Sequence, residues 1–184
     1  MIDKAVTLTG IPVMEVPNAL ARVLPPAAYS EIKGTRKKGM TDTKPHFVRQ
    51  RLTEIFGVCG IGWWVEPYGE IHSELDPDPE KSNPWTSTAV VMFYFNYIDE
   101  NGETKKSAPV IGTGGISMDR RDFTERGAIT NAISDCIKQM GWQKYLWYGL
   151  LDHKNAAEMY EKQSRKDKEL LEAGEHIPGT PLEP

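Results

Sequence analysis

An α+β fold is predicted for this chain of 184 residues, an antiparallel three-stranded sheet followed by one long helix. Three observations predict it. The run TSTAVVMFYFNYI, residues 86–98, is dense in β-branched and aromatic residues and is the most β-prone segment of the chain. In DFTERGAITNAISDCIKQMG, the side chains Ile129, Ala132, Ile133, Cys136, Ile137 and Met140 recur at helical spacing. A hydrophobic content of 39% at this length fills one ordinary core, so one domain with appendages is expected.

Residues 1–30 read as an N-terminal arm, because Pro12, Pro17, Pro25 and Pro26 surround the short apolar segment NALARVL, which has room for one or two helical turns. Such an arm packs on a core rather than forming one. Residues 31–153 read as the core domain. It opens with a short helix over PHFVRQRLTEIFG, where Pro45 suits a helix start, Val48, Leu52, Ile55 and Phe56 keep helical spacing, and Gly57 is the stop. GIGWWVEPYGEIH, the 86–98 run and TKKSAPVIGTGG are the three strands, with DENGE as the turn between the last two. SELDPDPEKSNPW is an exposed loop by its prolines and charges. After the long helix, the aromatic-rich WQKYLWYGLLD is expected to fold back on the sheet. Residues 154–184 read as a charged C-terminal helix, Asn155 to Leu171, and a flexible tail.

No basic segment precedes a long apolar run, so neither a signal peptide nor a membrane span is indicated and a cytoplasmic location is expected. Cys59 and Cys136 lack metal-ligand spacing, and Cys136 lies on the apolar side of the long helix, where a free thiol acts as a small hydrophobe. No disulfide is expected.

The net charge of −4 argues alone against a polyanionic partner, but its distribution argues the other way. Lys33, Arg36, Lys37, Lys38, Lys44, Arg49 and Arg51 fall within one segment against a single acid, Asp42, whereas Glu66 to Glu80 holds six acids and no lysine or arginine. A chain polarised in this way carries a local positive field while remaining acidic overall.

The basic segment contains GTRKKGMT, residues 34–41, one residue short of a phosphate-binding loop: Gly34, Gly39 and Thr41 match, but Met40 stands where the lysine belongs. Without that lysine, and with Pro45 starting the next helix several residues later, nucleotide hydrolysis is not expected. A solvated loop and a site for another phosphate both remain open. GTGG, residues 112–115, lies between a strand and the long helix, with Arg120 and Arg121 close behind. A tight turn is the simpler reading, and a backbone phosphate site the alternative. Asp76, Asp78 and Glu80 suggest a Mg²⁺-dependent nuclease only weakly, since alternating prolines splay them and no second acidic motif joins them. His46, His72, His153 and His176 are scattered singly, and no nucleophile arrangement is present, so no catalytic residue, metal or cofactor is expected. Clustered cations with Trp63, Trp64, Tyr68 and Trp85 are the ingredients of a single-strand binder, although core packing claims at least half of those aromatics.

KGMTDTKPHFVRQRLTEIFGVCGIGWWVEP, followed by RRDFTERGAITNAISDCIKQMGWQKYLWYGLLD, resembles the Rad fifty-two superfamily of single-strand annealing proteins, most closely its bacteriophage branch. The resemblance spans roughly residues 25–153. It is carried by Phe56-Gly57 running into Gly62-Trp63, and by Ala128, Thr130, Ala132, Lys138 and Gly141 on and after the long helix. It implies a β-β-β-α core with the helix across a curved sheet, a homo-oligomeric ring or helical filament, and ATP-independent pairing of complementary strands of single-stranded DNA in recombination and repair. It further implies a single-strand binding protein or an exonuclease as accessory partners. Ser134-Asp135 departs from the adjacent Lys-Arg of eukaryotic relatives. DNA contact is therefore expected chiefly from Arg36, Lys37 and Lys38, helped by Lys44, Arg49 or Arg51; Arg120, Arg121, Arg126 and Lys138 are the second group of candidates. Two other functions stay open, single-strand binding without annealing and a metal-dependent nuclease.

Overall fold

The structure, a computed structural model, describes residues 4–33, 39–78 and 80–182. It is a mixed α/β arrangement built on one long strand. The elements in chain order are β1 (Val6–Thr7), α1 (Val16–Ala21), β2 (Tyr29–Glu31), β3 (Thr41–Thr43), α2 (Pro45–Phe56), β4 (Trp63–Pro67), β5 (His72–Leu75), β6 (Trp85–Ile98), β7 (Thr104–Lys106), β8 (Val110–Met118), α3 (Arg121–Gln139), α4 (Lys144–Trp147) and α5 (Ala156–Glu172).

The expected three strands resolve into six. β1, β4, β5, β7 and β8 all pair antiparallel with the 14-residue β6. β6 is long enough to serve several partners in succession along each edge. β5 and β4 follow one another beside residues 85–88 and 91–95, while β8 takes residues 85–93 on the opposite edge. The first expected strand is broken at Tyr68–Ile71, where Gly69 has φ +82°, and DENGE makes the expected turn, with Gly102 donating to Asp99 O at 3.0 Å. β2 and β3 form a separate two-stranded hairpin.

Alternation along β6 sends Ser87, Ala89, Val91 and Phe93 to one face, where all four are buried. α3 covers this face, and its apolar side supplies the fully buried Ala128, Ala132, Cys136 and Ile137. GTGG is part of β8, which corrects the expectation of a turn. Its glycines answer to packing: a Cβ at Gly112 would lie 2.3 Å from Ala132 O, and one at Gly114 2.2 Å from Ala132 N. Gly127 meets Ile116 in the same way, its hypothetical Cβ 2.9 Å from Ile116 Cγ2.

α2 ends at Gly57, whose φ of +95° suits glycine. Its Leu52, Ile55 and Phe56 enter the same core, where Phe56 lies 5.7 Å from Phe93 and 4.7 Å from Phe95 between ring centroids. The N-terminal arm packs into this core through Ile11, Val16, Ala19, Leu20, Val23 and Leu24. After α3 the backbone turns at Gln143 (φ +45°), a fully buried amide. Its Nε2 donates to Arg22 O at 2.9 Å, while its Oε1 accepts from Tyr29 Oη at 2.6 Å and Tyr29 in turn accepts from Leu24 N at 2.9 Å. One buried side chain thus joins the arm, β2 and the end of α3.

The chain after α5 returns to the arm. Gly179 N donates to Glu15 Oε2 at 2.6 Å and Leu182 N to Gly10 O at 3.1 Å, so the described part of the tail is hydrogen-bonded in place. No helix among the described residues is long and apolar enough to cross a membrane.

Two outcomes follow for stability. Gly114→Ala and Ala128→Leu each force side-chain atoms into the α3–β8 contact and are expected to lower the unfolding free energy by about 1–3 kcal/mol in urea titrations. Burial pushes the Tyr29 phenol from 10.0 up to about 12. Its contribution to stability is therefore fully present below pH 10 and lost as pH rises through about 12. Tyr29→Phe leaves Gln143 Oε1 and Leu24 N unpaired, costing about 1–3 kcal/mol near neutrality, and flattens the alkaline decline. Thermal unfolding from pH 8 to 12 checks both effects.

Candidate nucleic-acid interface

The basic segment is carried on a short scaffold. β2 and β3 pair from Tyr29↔Thr43 to Glu31↔Thr41, and Gly39 N bonds Ile32 O at 3.1 Å, which closes the hairpin around the intervening residues. Of the cations expected to lead DNA contact, Arg36, Lys37 and Lys38 lie outside the described residues, as do Gly34 and Thr35. The elements on either side are both strands, β2 and β3, so the helix that directly follows a phosphate-binding loop is missing. Thr41 is occupied as well: its Oγ1 accepts from His153 N at 3.0 Å and lies 2.9 Å from His153 Nδ1.

α2 carries the next three candidates, and they differ. Lys44, at its N-cap, is exposed and donates to Ala27 O at 2.7 Å. Arg49 is exposed and makes no ion pair among the described residues. Arg51 points inward with its side chain only 16% exposed, 3.5 Å from Glu54 Oε2. Burial, with the nearby Arg22 charge, pulls its pKa below the ordinary arginine value against the opposing pull of Glu54.

The α3 candidates do not form one patch. Arg121 and Lys138 stand at opposite ends of the helix, about 25 Å apart at 1.5 Å per residue. Arg120 holds Asp122 with two bonds, at 3.1 and 3.0 Å, and stacks 4.3 Å over Phe123. Arg121 donates to Glu125 Oε1 at 2.8 Å, and that carboxylate also accepts from Ser73 at 3.0 Å; together they hold Glu125 below the usual carboxylate pKa. Both arginines are thus locally neutralised. Arg126 is exposed, and Lys138 lies 4.2 Å over the exposed Trp147 ring.

Asp135, on the polar side of α3, has a structural partner. Its Oδ2 accepts from the Thr113 backbone N–H at 3.0 Å. Asn131 and Gln139, one helical turn away on either side, donate to Gly115 O at 3.0 Å and to Ile111 O at 2.8 Å. These three side chains take up Thr113 N–H, Gly115 O and Ile111 O on the outer edge of β8, groups otherwise open to another strand.

The sheet face away from α3 places Trp64, one of the candidate aromatics, beside Tyr94 and Lys106, which sequence reasoning missed. Trp64 and Tyr94 stack at 5.5 Å with planes 19° apart, and Lys106 Nζ sits 3.6 Å over Tyr94 and 5.0 Å over Trp64. Glu66 accepts from the Trp64 indole at 2.8 Å, which holds its pKa below the usual range, and pairs with Lys106 at 3.5 Å. Period-two alternation along β4 could have separated Trp64 from the buried Trp63, which stacks on Phe93. A second omission is a cavity of about 800 Å³ between α1, α4 and α5, whose walls include Lys144, Lys162, Arg165, Lys166, Asp167 and Glu169. α5 had been read only as a charged appendage.

In the acidic loop, Asp76 is bonded by Lys81 and by Asp78 N, which hold its pKa down. Among the described residues no group of three or more His, Cys, Asp or Glu side chains is arranged to hold a metal ion. No protein-family model matches the chain, and no curated protein matches it significantly.

Asp135→Ala removes the acceptor from Thr113 N–H and is expected to cost about 0.5–1.5 kcal/mol in urea unfolding. Asp135→Asn, which keeps a carbonyl oxygen, should recover most of that loss.

Proposed function

We propose that this chain binds single-stranded DNA through backbone phosphates and pairs complementary strands without ATP, as a homo-oligomer. The observation that carries the reading is the charge polarity: seven cations and one acid between Lys33 and Arg51 on a chain of net charge −4. β3 and the first turns of α2 lie within that segment and hold Lys44 and Arg49 at exposed positions, while Arg51 turns inward. Contacts of this kind follow phosphates and are indifferent to sequence. Trp64, half-buried, and Lys106, exposed, add an aromatic and a cation on the sheet face away from α3, the kinds of group that contact bases and phosphates, and the resemblance to single-strand annealing proteins accords with both. The long helix on the sheet is compatible with the expected β-β-β-α core; curvature of the sheet is part of the proposal. Association is favoured by exposed apolar side chains, Val58 and Ile61 after α2 and Trp147, Tyr148 and Leu150 after α3.

A nuclease is the weaker reading, since Asp76 is already tied to Lys81. Labelled complementary oligonucleotides mixed with the protein, with and without Mg²⁺, separate the possibilities. Annealing predicts accelerated duplex formation without ATP and full-length DNA in both conditions; coating alone predicts slowed pairing, and cleavage predicts shortened products. The combined change of Arg36, Lys37 and Lys38 to alanine is expected to weaken binding and to reduce the salt slope by roughly 0.7 per lost contact. Unchanged affinity and slope would remove the loop from the interface and leave Arg126 and Lys138 as its candidates.

A further inference from the structure

Arg51 is largely but not wholly buried, and one of its buried donors lacks a partner. Its Nε is out of solvent with no hydrogen-bond acceptor among the described residues. The nearest carboxylate oxygen, Glu54 Oε2, stands 3.5 Å away, too far for a good hydrogen bond, and Glu54 Oε1 already accepts from Gln50 at 2.9 Å. Arg22 offers no relief: it is another cation, bound to both oxygens of Asp167. A buried N–H left unpaired is costly, and the cost falls when an oxyanion or water accepts from it.

Arg51 lines a cavity of about 220 Å³ between α2, the arm and α5, and the wall is mostly polar, with Arg22, Gln50, Glu54, Tyr160 and Gln163 beside it. A planar guanidinium presents parallel N–H groups that match two oxygens of a phosphate. Glu54 has its side chain 47% exposed, so it can turn to solvent as an anion arrives.

We propose that this cavity binds a phosphate group, as inorganic phosphate or as a terminal phosphomonoester, with the Arg51 guanidinium as its principal ligand. The site is distinct from the basic hairpin and does not rest on DNA annealing.

The test is thermal unfolding of the full chain in inorganic phosphate at constant ionic strength, with chloride as the reference salt. Phosphate also stabilises proteins without a site, so the reading is the difference between the native chain and Arg51→Gln. A tenfold excess over Kd is expected to raise Tm by about 3–6 °C beyond chloride in the native chain, and the rise should vanish in the variant. Glu54→Gln, which removes the competing carboxylate and leaves Arg51 in place, should shift the midpoint to lower phosphate. Oligonucleotides of one sequence with a 5′-phosphate or a 5′-hydroxyl distinguish the source. Displacement of phosphate by the first alone assigns a nucleic-acid end, and displacement by neither assigns a small anion. Equal responses to phosphate and chloride, or an undiminished phosphate response in Arg51→Gln, would overturn the proposal.

Discussion

The contact between α3 and β8 is the constraint on which the other packing depends. Gly112 and Gly114 let the helix backbone approach a strand more closely than any side chain would permit, and Ala128, Ala132 and Cys136 are the small residues that meet them. This approach fixes both the height and the rotation of α3. Its apolar side then meets Val91 and Phe93 of β6, and the row Asn131, Asp135 and Gln139 falls along the rim of β8. Cys136 is part of the same fit: burial raises its thiol from 9.0 to about 11, so it stays protonated and unreactive at neutral pH.

The elements with strong periodicity were legible. α2 and α3 follow from apolar spacing with their stop and start residues, and β6 from its run of β-branched and aromatic residues. The failures have common physical causes. Glycine marks a turn and a close backbone approach with the same letter, so GTGG was read as a turn when only the tertiary contact with Ala132 explains it. The three-strand expectation counted apolar runs, whereas strands end where hydrogen bonding ends, as at Gly69. The tail looked polar and unstructured because its anchors are single long-range bonds to Glu15 and Gly10, which leave no local pattern.

Candidate cations were harder to read for a related reason. Sequence shows where positive charge lies along the chain, not which charge is already spent. Arg120 and Arg121 are matched by acids two and four residues ahead on α3, while Arg51, placed in the same basic segment as Arg49, turns inward beside Glu54. Lys106 shows the converse. It is ordinary in sequence, yet it rests on two aromatic rings that come from β4 and β6.

The covered rim of β8 also limits how copies of the chain can be joined. A sheet grows by adding strands at an edge, and here three backbone groups along β8 are taken by α3 side chains, while on the other side of β6 the Trp63 carbonyl at the start of β4 accepts from Gly60 N at 2.7 Å. Pro67, at the end of β4, removes one further donor from that edge. Pairing the β4 edge with its own copy would use a two-fold axis and leave that edge with nothing free for a third copy. The ring or filament proposed above would then rest on head-to-tail contact between two different side-chain surfaces, with its curvature set by their relative tilt and not by the twist of a continuous sheet.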